Sequence, residues 1–245
     1  MAKILVTGSA DGLGQLAARA LIAQGHHVVL HARNAERGLA ARQQAAGAEH
    51  IIVGDLSDLD ATKDVAEQAN ALGRFDAVIH NAGVYEAPAR EIFAVNTLAP
   101  YLLTCLMHKP KRLVYLSSGM HFQGRANFED AAKNGVRGAG YSDAKLWVVM
   151  LCLAVARRWP EVYANAVDPG WVPTRMGGPG APDDLQKGYE TQVWLAASDD
   201  RGAQVSGRYF YHRTERSPHA QAGDVALQER LLRVCEEVTG VRFPA

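Results

Sequence analysis

Thr7-Gly8-Ser9-Ala10-Asp11-Gly12-Leu13-Gly14 decides the reading of this chain. It follows a short apolar run, Ile4-Leu5-Val6. It leads into Gln15-Leu16-Ala17-Ala18-Arg19-Ala20-Leu21-Ile22, which suits a helix. Three glycines at the spacing G-x-x-x-G-x-G let a backbone turn sharply and approach a bound group closely. A helix opening at Gly12 to Gly14 would aim unpaired N–H groups and its positive dipole end at that group, which suits a phosphate. The alternative is a plain strand-to-helix turn, which seldom carries three glycines.

The same strand-then-helix order repeats along the chain. Strand-like runs cover Ile4–Thr7, His27–Ala32, Ile51–Val53, Asp76–His80, Arg112–Ser117, Val162–Val167 and Gly207–Tyr211. Between and after them, helical patterns cover Gly14–Gln24, Ala35–Ala46, Asp58–Leu72, Arg90–Met107, Tyr141–Trp159 and Val225–Thr239. Such alternation predicts right-handed βαβ units, hence an α/β fold: a doubly wound parallel sheet of about seven strands with helices on both faces. No linker or repeat interrupts it, so one domain over residues 1–245 is expected. Arg175 to Asp184, rich in Gly, Pro and Asp, reads as a loop.

Bulk composition narrows the function. With 26 basic and 26 acidic residues among 245, the chain offers no electrostatic case for nucleic acid or an anionic membrane. The longest apolar run, Leu146–Ala156, is too short to span a bilayer, and the N-terminus lacks a secretory leader pattern. Cys105, Cys152 and Cys235 have no zinc-type spacing and sit in apolar segments, which fits reduced thiols in a cytoplasmic protein. The nine histidines show no H-E-x-x-H pattern, so no metal is expected.

The glycine loop resembles that of the short-chain dehydrogenase/reductase family, and further motifs follow in the family's order. These are Asp55-Leu56, Asn81-Ala82-Gly83, Asn96, Ser117-Ser118, Tyr141-Ser-Asp-Ala-Lys145 and Pro169-Gly170-Trp171-Val172-Pro173-Thr174. The resemblance runs from about Lys3 to Gly207 and implies a Rossmann fold that binds a nicotinamide cofactor. It implies that Gly8, Ser9, Asp11, Gly12, Leu13 and Gly14 bind the pyrophosphate, and that Asp55 and Leu56 meet adenine. It implies further contacts from Asn81, Ala82, Gly83, Pro169 and Gly170. Val172 would meet the carboxamide through its backbone, and Thr174 a phosphate. The implied catalytic set is Asn96, Ser118, Tyr141 and Lys145. Asn96 would hold a water that links Lys145 to solvent, and Lys145 would also hold the nicotinamide ribose. Ser118 is preferred to Ser117 because the family's serine is usually the second of such a pair. Relatives commonly pair through the helix that carries Tyr141, so a homodimer or homotetramer is expected.

Several residues speak for themselves. The second strand ends His31-Ala32-Arg33, without the acid that holds a ribose 2′-hydroxyl in NAD-selecting folds. Arg33 offers a planar fork suited to a 2′-phosphate, so NADP(H) is preferred, with NAD(H) possible. Asp11 tempers this, since it would either cap the helix or weaken phosphate binding. Lys145 lies one helical turn after Tyr141, on the same face. Its charge is expected to lower the pKa of the phenol, ordinarily near 10. Ser118 is a candidate hydrogen-bond donor to a developing oxyanion.

The expected reaction is hydride transfer between nicotinamide and a small-molecule carbonyl, or a primary or secondary alcohol. An NADPH-occupied redox sensor that does no chemistry and a sugar-nucleotide epimerase are the competing readings. The interval from Ser118 to Tyr141 is long, similar to that in members resembling retinol dehydrogenases, and it should border the substrate pocket. His121, Phe122 and Phe128 would line that pocket or pack the loop down. Tyr85, Trp171, Trp194 and Phe210 could join an apolar pocket or belong to the core. The short spans from Gly83 to Asn96 and from Met107 to Arg112 point to a more open site, or to one completed by Arg175 to Gln192 as a lid.

Overall fold

A computed structural model describes residues 1–128 and 140–244. The strands are β1 (Lys3–Val6), β2 (His27–Ala32), β3 (His50–Val53), β4 (Ala77–His80), β5 (Arg112–Leu116), β6 (Tyr163–Asp168), β7 (Arg208–Tyr211) and β8 (Thr214–Arg216). They form one sheet in the order β3-β2-β1-β4-β5-β6-β7-β8, parallel throughout except for the antiparallel β7–β8 pair. The helices are α1 (Gly12–Ala23), α2 (Ala35–Gln44), α3 (Leu59–Ala71), α4 (Ala89–Phe93), α5 (Ala99–Leu106), α6 (Tyr141–Arg158), α7 (Leu185–Ala197) and α8 (Val225–Thr239).

The central strands are buried on both faces, which is why they read as unbroken apolar runs. Successive side chains of β1 enter opposite cores. Ile4 and Val6 pack with Leu21, Val28 and Ile79, while Leu5 packs on the other face with Val29, Val78 and Val149. Chain direction of the crossovers reverses between β1 and β4, and this switch point opens a cleft above the carboxyl ends of the strands.

The structure departs from the sequence reading in four places. An eighth strand, β8, follows a two-residue turn in which His212 and Arg213 adopt left-handed φ of 48° and 61°. No Asn-Gly or Gly-X pair signals that turn, and β8 is fully exposed, so no apolar alternation marks it. The single helix expected over Arg90–Met107 is α4, a π-helical turn at Ala94–Leu98, then α5. Residues from Leu185 onward are not lid: α7, capped by Asp184 accepting the Lys187 N–H, packs against α1 with Gly188, Thr191 and Gln192 buried. Only the stretch before it, from Arg175 to Asp184, is loop. Finally, α6 is covered on its apolar sides by its own chain, packing against α4, the π turn, β5, β6 and α8.

The C-terminal helix α8 is well delimited. Asp224 accepts the Leu227 N–H at its start, and Gly240 adopts φ 70° after its end. No helix among the described residues is long and apolar enough to cross a membrane.

Candidate active site

The cleft at the switch point has a volume of about 590 Å³, within the range of small-molecule sites. Its floor is the glycine loop. Gly8 has φ 62°, and a Cβ there would stand 2.8 Å from the Cα of Ala82. Gly14 packs so tightly on Asn81 that a Cβ would lie 2.3 Å from its Nδ2. Asn81 Nδ2 donates to the carbonyls of Thr7 (2.9 Å) and Gly8 (3.1 Å). Thr7 Oγ1 in turn accepts the N–H groups of Asn81 (3.0 Å) and Ala82 (3.1 Å). The loop after β4 thereby fixes the loop after β1. Gly8, Asp11, Gly12, Leu13 and Asn81-Ala82-Gly83 line the cleft, whereas Gly14 lies beneath it as a packing contact.

Ser9 also lies beneath. It is fully buried, its N–H donating to the His31 carbonyl (3.1 Å) and its Oγ accepting the His31 N–H (2.9 Å). Asp11 occupies the N-cap position of α1, but its side chain makes no cap hydrogen bond, and it pairs with Arg37 instead. The first turn of α1 contains no acidic residue. The N–H groups of Gly12 to Gly14 therefore have neither a capping side chain nor a competing carboxylate. With the cradle a Cβ would fill, this fits the phosphates of a dinucleotide.

Sequence reasoning passed over His31. Its buried imidazole accepts the Gly8 N–H at Nδ1 (3.0 Å) and meets the Gly54 carbonyl at Nε2 (3.0 Å). Both contacts require the neutral ring with its proton on Nε2, and burial lowers its pKa to about 4. The ring ties the glycine loop to the turn that carries Asp55. A histidine directly before the Ala32-Arg33 pair was the available signal.

The outer end of the cleft carries Arg33, Arg37, Asp55 and Leu56. Arg33 is exposed and has no ion pair among the described residues. Asp55 accepts the Ser57 N–H (2.9 Å) and hydroxyl (2.8 Å), which shapes its turn.

At the inner end, Tyr141 opens α6, and Ser118, whose hydroxyl accepts the Met120 N–H at 3.2 Å, stands near enough to act on its phenol. Ser117 points elsewhere, its buried Oγ donating to the Lys145 carbonyl at 2.8 Å. Lys145 is buried one turn along, with Nζ donating to the Leu116 carbonyl (2.8 Å) and lying 5.4 Å from the Tyr141 ring centroid. Asn96 sits in the π turn, a distortion frequent at functional sites. Its amide is engaged by the Val84 backbone, with both contacts at 2.9 Å. A Cβ on Gly83 would stand 3.3 Å from both Asn96 Oδ1 and Lys145 Nζ, so these two side chains flank one backbone.

Electrostatics here differ from the expectation that Lys145 lowers the tyrosine. Burial pushes Tyr141 up to about 12; the polar Ser118 side chain opposes this, while Asp168 and Tyr85 add to it. Burial lowers Lys145 to about 8, partly offset by Asp168. Desolvation outweighs the lysine's field because the ammonium is directed at the Leu116 carbonyl rather than at the phenol.

Pro169 and Thr174 line the cleft, with Thr174 opposite Gly12. Gly170 has φ 81°, and Val172 is buried against Gly188. Tyr85, Phe122 and Trp171 are exposed, with Tyr85 edge-on to Tyr141 at 4.8 Å. Phe128 packs in the core on Trp147, Phe210 is also core, and the half-buried Trp194 packs against it. His121 is buried under Ser118 rather than open to the cleft. The remainder of the stretch expected to border the pocket, 129–139, lies outside the described residues.

The sequence model of the family described as short chain dehydrogenase matches residues 2–184. An uncharacterized oxidoreductase of Emericella nidulans is 46% identical, over 100% of this chain and 99% of that protein. Among solved structures, an uncharacterized protein from Mycobacterium paratuberculosis superposes with a TM-score of 0.85 at 25% identity, covering 100% of this chain and 96% of that one. A Shigella flexneri short chain dehydrogenase complexed with NADP reaches 0.68 at 24% identity, covering 87% and 97%.

Proposed function

The chain belongs to the short-chain dehydrogenase family of oxidoreductases, and on that premise we propose that it reduces a small-molecule carbonyl with NADPH, Tyr141 donating the proton. The observation that carries this reading is the arrangement along one cleft. Tyr141 and Lys145 line its inner end, an uncapped helix start its middle, and Arg33 with Arg37 its outer end.

When bound, the reduced nicotinamide supplies the hydride. The chain's own residues do the rest. Gly8, Gly12 and Leu13 with Thr174 hold the pyrophosphate, and Arg33 takes the 2′-phosphate that an acid in its place would repel. Arg37 is already paired with Asp11, so NADP(H) preference rests chiefly on Arg33. Ser118 donates to the carbonyl oxygen as charge develops there, a contribution worth about 3 kcal/mol in comparable sites. Tyr141 then transfers its proton to that oxygen as the hydride reaches the carbon. The phenol is protonated at neutral pH, the form a reduction needs, since its proton must go to the carbonyl oxygen. Lys145, still largely protonated at neutral pH, stabilises the phenolate left behind. Asn96 stiffens the Gly83–Val84 backbone beside the ammonium. A complete proton-donor set would be superfluous in a redox sensor.

Thermal unfolding with NADPH or NADH at equal concentrations tests the cofactor. Ligand at a hundredfold its Kd adds about 2.7 kcal/mol, or roughly 5–10 °C in midpoint. A shift with NADPH and little with NADH is expected. A larger shift with NADH would overturn the Arg33 argument, and no shift with either would overturn the cofactor reading.

A further inference from the structure

Ser118 stands on a turn with little rigidity of its own. Its backbone is extended (φ −167°, ψ 152°), and a glycine follows it. Gly119–Gln123 form a short 3-10 turn, which Gly124 closes against α6: a Cβ there would stand 2.4 Å from the Ser142 carbonyl oxygen. At the other end of this turn His121 holds the serine twice. Its backbone N–H donates to the Ser118 carbonyl at 3.0 Å, and its ring Nδ1 meets the same carbonyl at 2.8 Å.

The ring is anchored from a distant part of the chain. His121 is fully buried, and the N–H of His219 donates to its Nε2 at 3.0 Å. A carbonyl needs a donor and an amide N–H needs an acceptor, so the ring is neutral with its proton on Nδ1. Burial, which lowers its pKa, acts in the same direction. Tyr209 Oη, 3.3 Å from Nδ1, can only accept there. The Phe122 and Tyr209 rings flank the imidazole, with centroids 4.0 and 4.7 Å away. His219 in turn precedes the 3-10 turn Ala220–Gly223, its own Nδ1 accepting the Gln221 N–H at 3.2 Å, and that turn packs on α6. The His121 ring thus ties the end of β5 to the segment before α8.

The consequence for Ser118 lies in its hydroxyl. With the carbonyl fixed, the Met120 N–H is presented to Ser118 Oγ at 3.2 Å. That contact occupies an acceptor site of the hydroxyl and leaves its proton to be donated. With the carbonyl released, the chain could rotate about Ser118 and Gly119, and both the place of Oγ and the direction of its proton would be lost.

We propose that His121 is a positioning residue: by holding the Ser118 carbonyl, it keeps the Ser118 hydroxyl placed and free to donate to a substrate carbonyl oxygen. This rests on the reading above in which Ser118 donates during carbonyl reduction. Buried beneath the turn, His121 acts through Ser118 alone. A misplacement of about 1 Å can cost about a hundredfold in rate.

Two substitutions separate the two ends of the ring. Asparagine places an amide N–H where Nδ1 stands, and glutamine places an amide oxygen where Nε2 stands. His121→Asn therefore keeps the bond to Ser118, whereas His121→Gln keeps only the bond to His219. The experiment measures kcat and KM with NADPH and the probe ketones methyl benzoylformate and isatin, with each substitution made in the wild type and in Ser118→Ala. In the wild type, His121→Gln should lower kcat about tenfold or more with KM and the NADPH-induced thermal shift unchanged, while His121→Asn should stay within about threefold. In Ser118→Ala, His121→Gln should lower kcat no further, because the group it positions is gone. An equal loss in both backgrounds, or an equal loss from asparagine and glutamine, would overturn the proposal and leave the reductase reading intact. A wild type that reduces neither ketone would overturn both. Should the buried substitutions not fold, His219→Pro tests the same link from outside the core. Proline suits φ −51° at His219 and removes the N–H that anchors Nε2, while His219→Ala keeps that N–H and serves as its control. His219→Pro should lower kcat relative to His219→Ala only where Ser118 is present. Equal kcat in these two variants would count against the role of His121.

Discussion

Replacing Gly14 with alanine sets two effects against each other. Gly14 lies within α1, where alanine is favoured over glycine by about 1 kcal/mol. Local propensity alone therefore predicts stabilisation. The tertiary contact predicts the opposite. The new Cβ would stand 2.3 Å from Asn81 Nδ2 and 2.5 Å from the Gly8 carbonyl oxygen, so these groups must retreat by about 1 Å. Overpacking of this kind costs about 1–3 kcal/mol. The retreat also strains the two Asn81 hydrogen bonds to Thr7 and Gly8, each worth about 1 kcal/mol. Subtracting the helix gain leaves a net loss of about 2–4 kcal/mol, or roughly 5–15 °C in midpoint for a chain of this size. Gly12→Ala is the control. Its Cβ meets nothing nearer than Thr174 Cβ at 4.0 Å, leaving only the strain of φ 55° to cost about 1–2 kcal/mol. The assay is thermal unfolding by circular dichroism without cofactor, followed by NADPH titration of the same samples. Gly14→Ala should lose more stability than Gly12→Ala and should bind NADPH poorly. A Gly14→Ala midpoint equal to or above that of the wild type would refute the reasoning, showing that Asn81 yields and propensity wins.

Three further outcomes follow from the site. Tyr141→Phe should lower kcat by roughly a hundredfold or more while leaving the NADPH-induced thermal shift unchanged, since only the proton donor is removed. Retained turnover would displace Tyr141 from that role. The pH profile of kcat/KM for reduction should be level below pH 8 and fall above it. The Lys145 ammonium, lowered to about 8 by burial, is present below that pH and loses its proton above it. A limb appearing only near pH 10 would refute the burial argument. Stability should fall as pH drops from 6.5 toward 4. Burial lowers His31 to about 4 and His80 to about 3, so the unfolded chain takes up protons that the folded one refuses. Together the two cost roughly 3 kcal/mol between pH 6.5 and 5, and His80→Gln should remove about half of that slope in denaturant melts. An unchanged slope would mean His80 takes no part.

Much of the fold was legible in the sequence because its determinants are local. The apolar runs of β1, β2, β4, β5 and β6 announce strands buried on both faces, and the periodic segments between them announce crossover helices. β8 was not legible, since an exposed strand made of Thr214, Glu215 and Arg216 has no apolar face to show. Nor was α7, whose Gly-containing start follows a Gly- and Pro-rich loop and whose burial depends on α1 lying beside it.

Motif spacing selected the residues of the candidate site, and tertiary structure sorted them. Tyr141 and Lys145 share a helical face by spacing alone, but that Ser117 turns its hydroxyl to the Lys145 carbonyl, leaving Ser118 as the serine that acts on the phenol, depends on α6 packing over β5. Ser9 and Gly14 belong to the motif yet lie under the loop they help to build, bonded to His31 and packed on Asn81. The direction of the Tyr141 shift could not be read from a lysine one turn away, because desolvation depends on everything packed around the phenol. The clamp of His31 between Gly8 and Gly54, and the placing of Asp168 against Gly119, join segments far apart in the chain. Sequence by itself determined which groups were available and which short elements carry them. Their protonation, their partners and their distances were decided only when the sheet brought β1, β2, β5 and β6 side by side, because burial and hydrogen bonding are properties of the assembled neighbourhood rather than of any one segment.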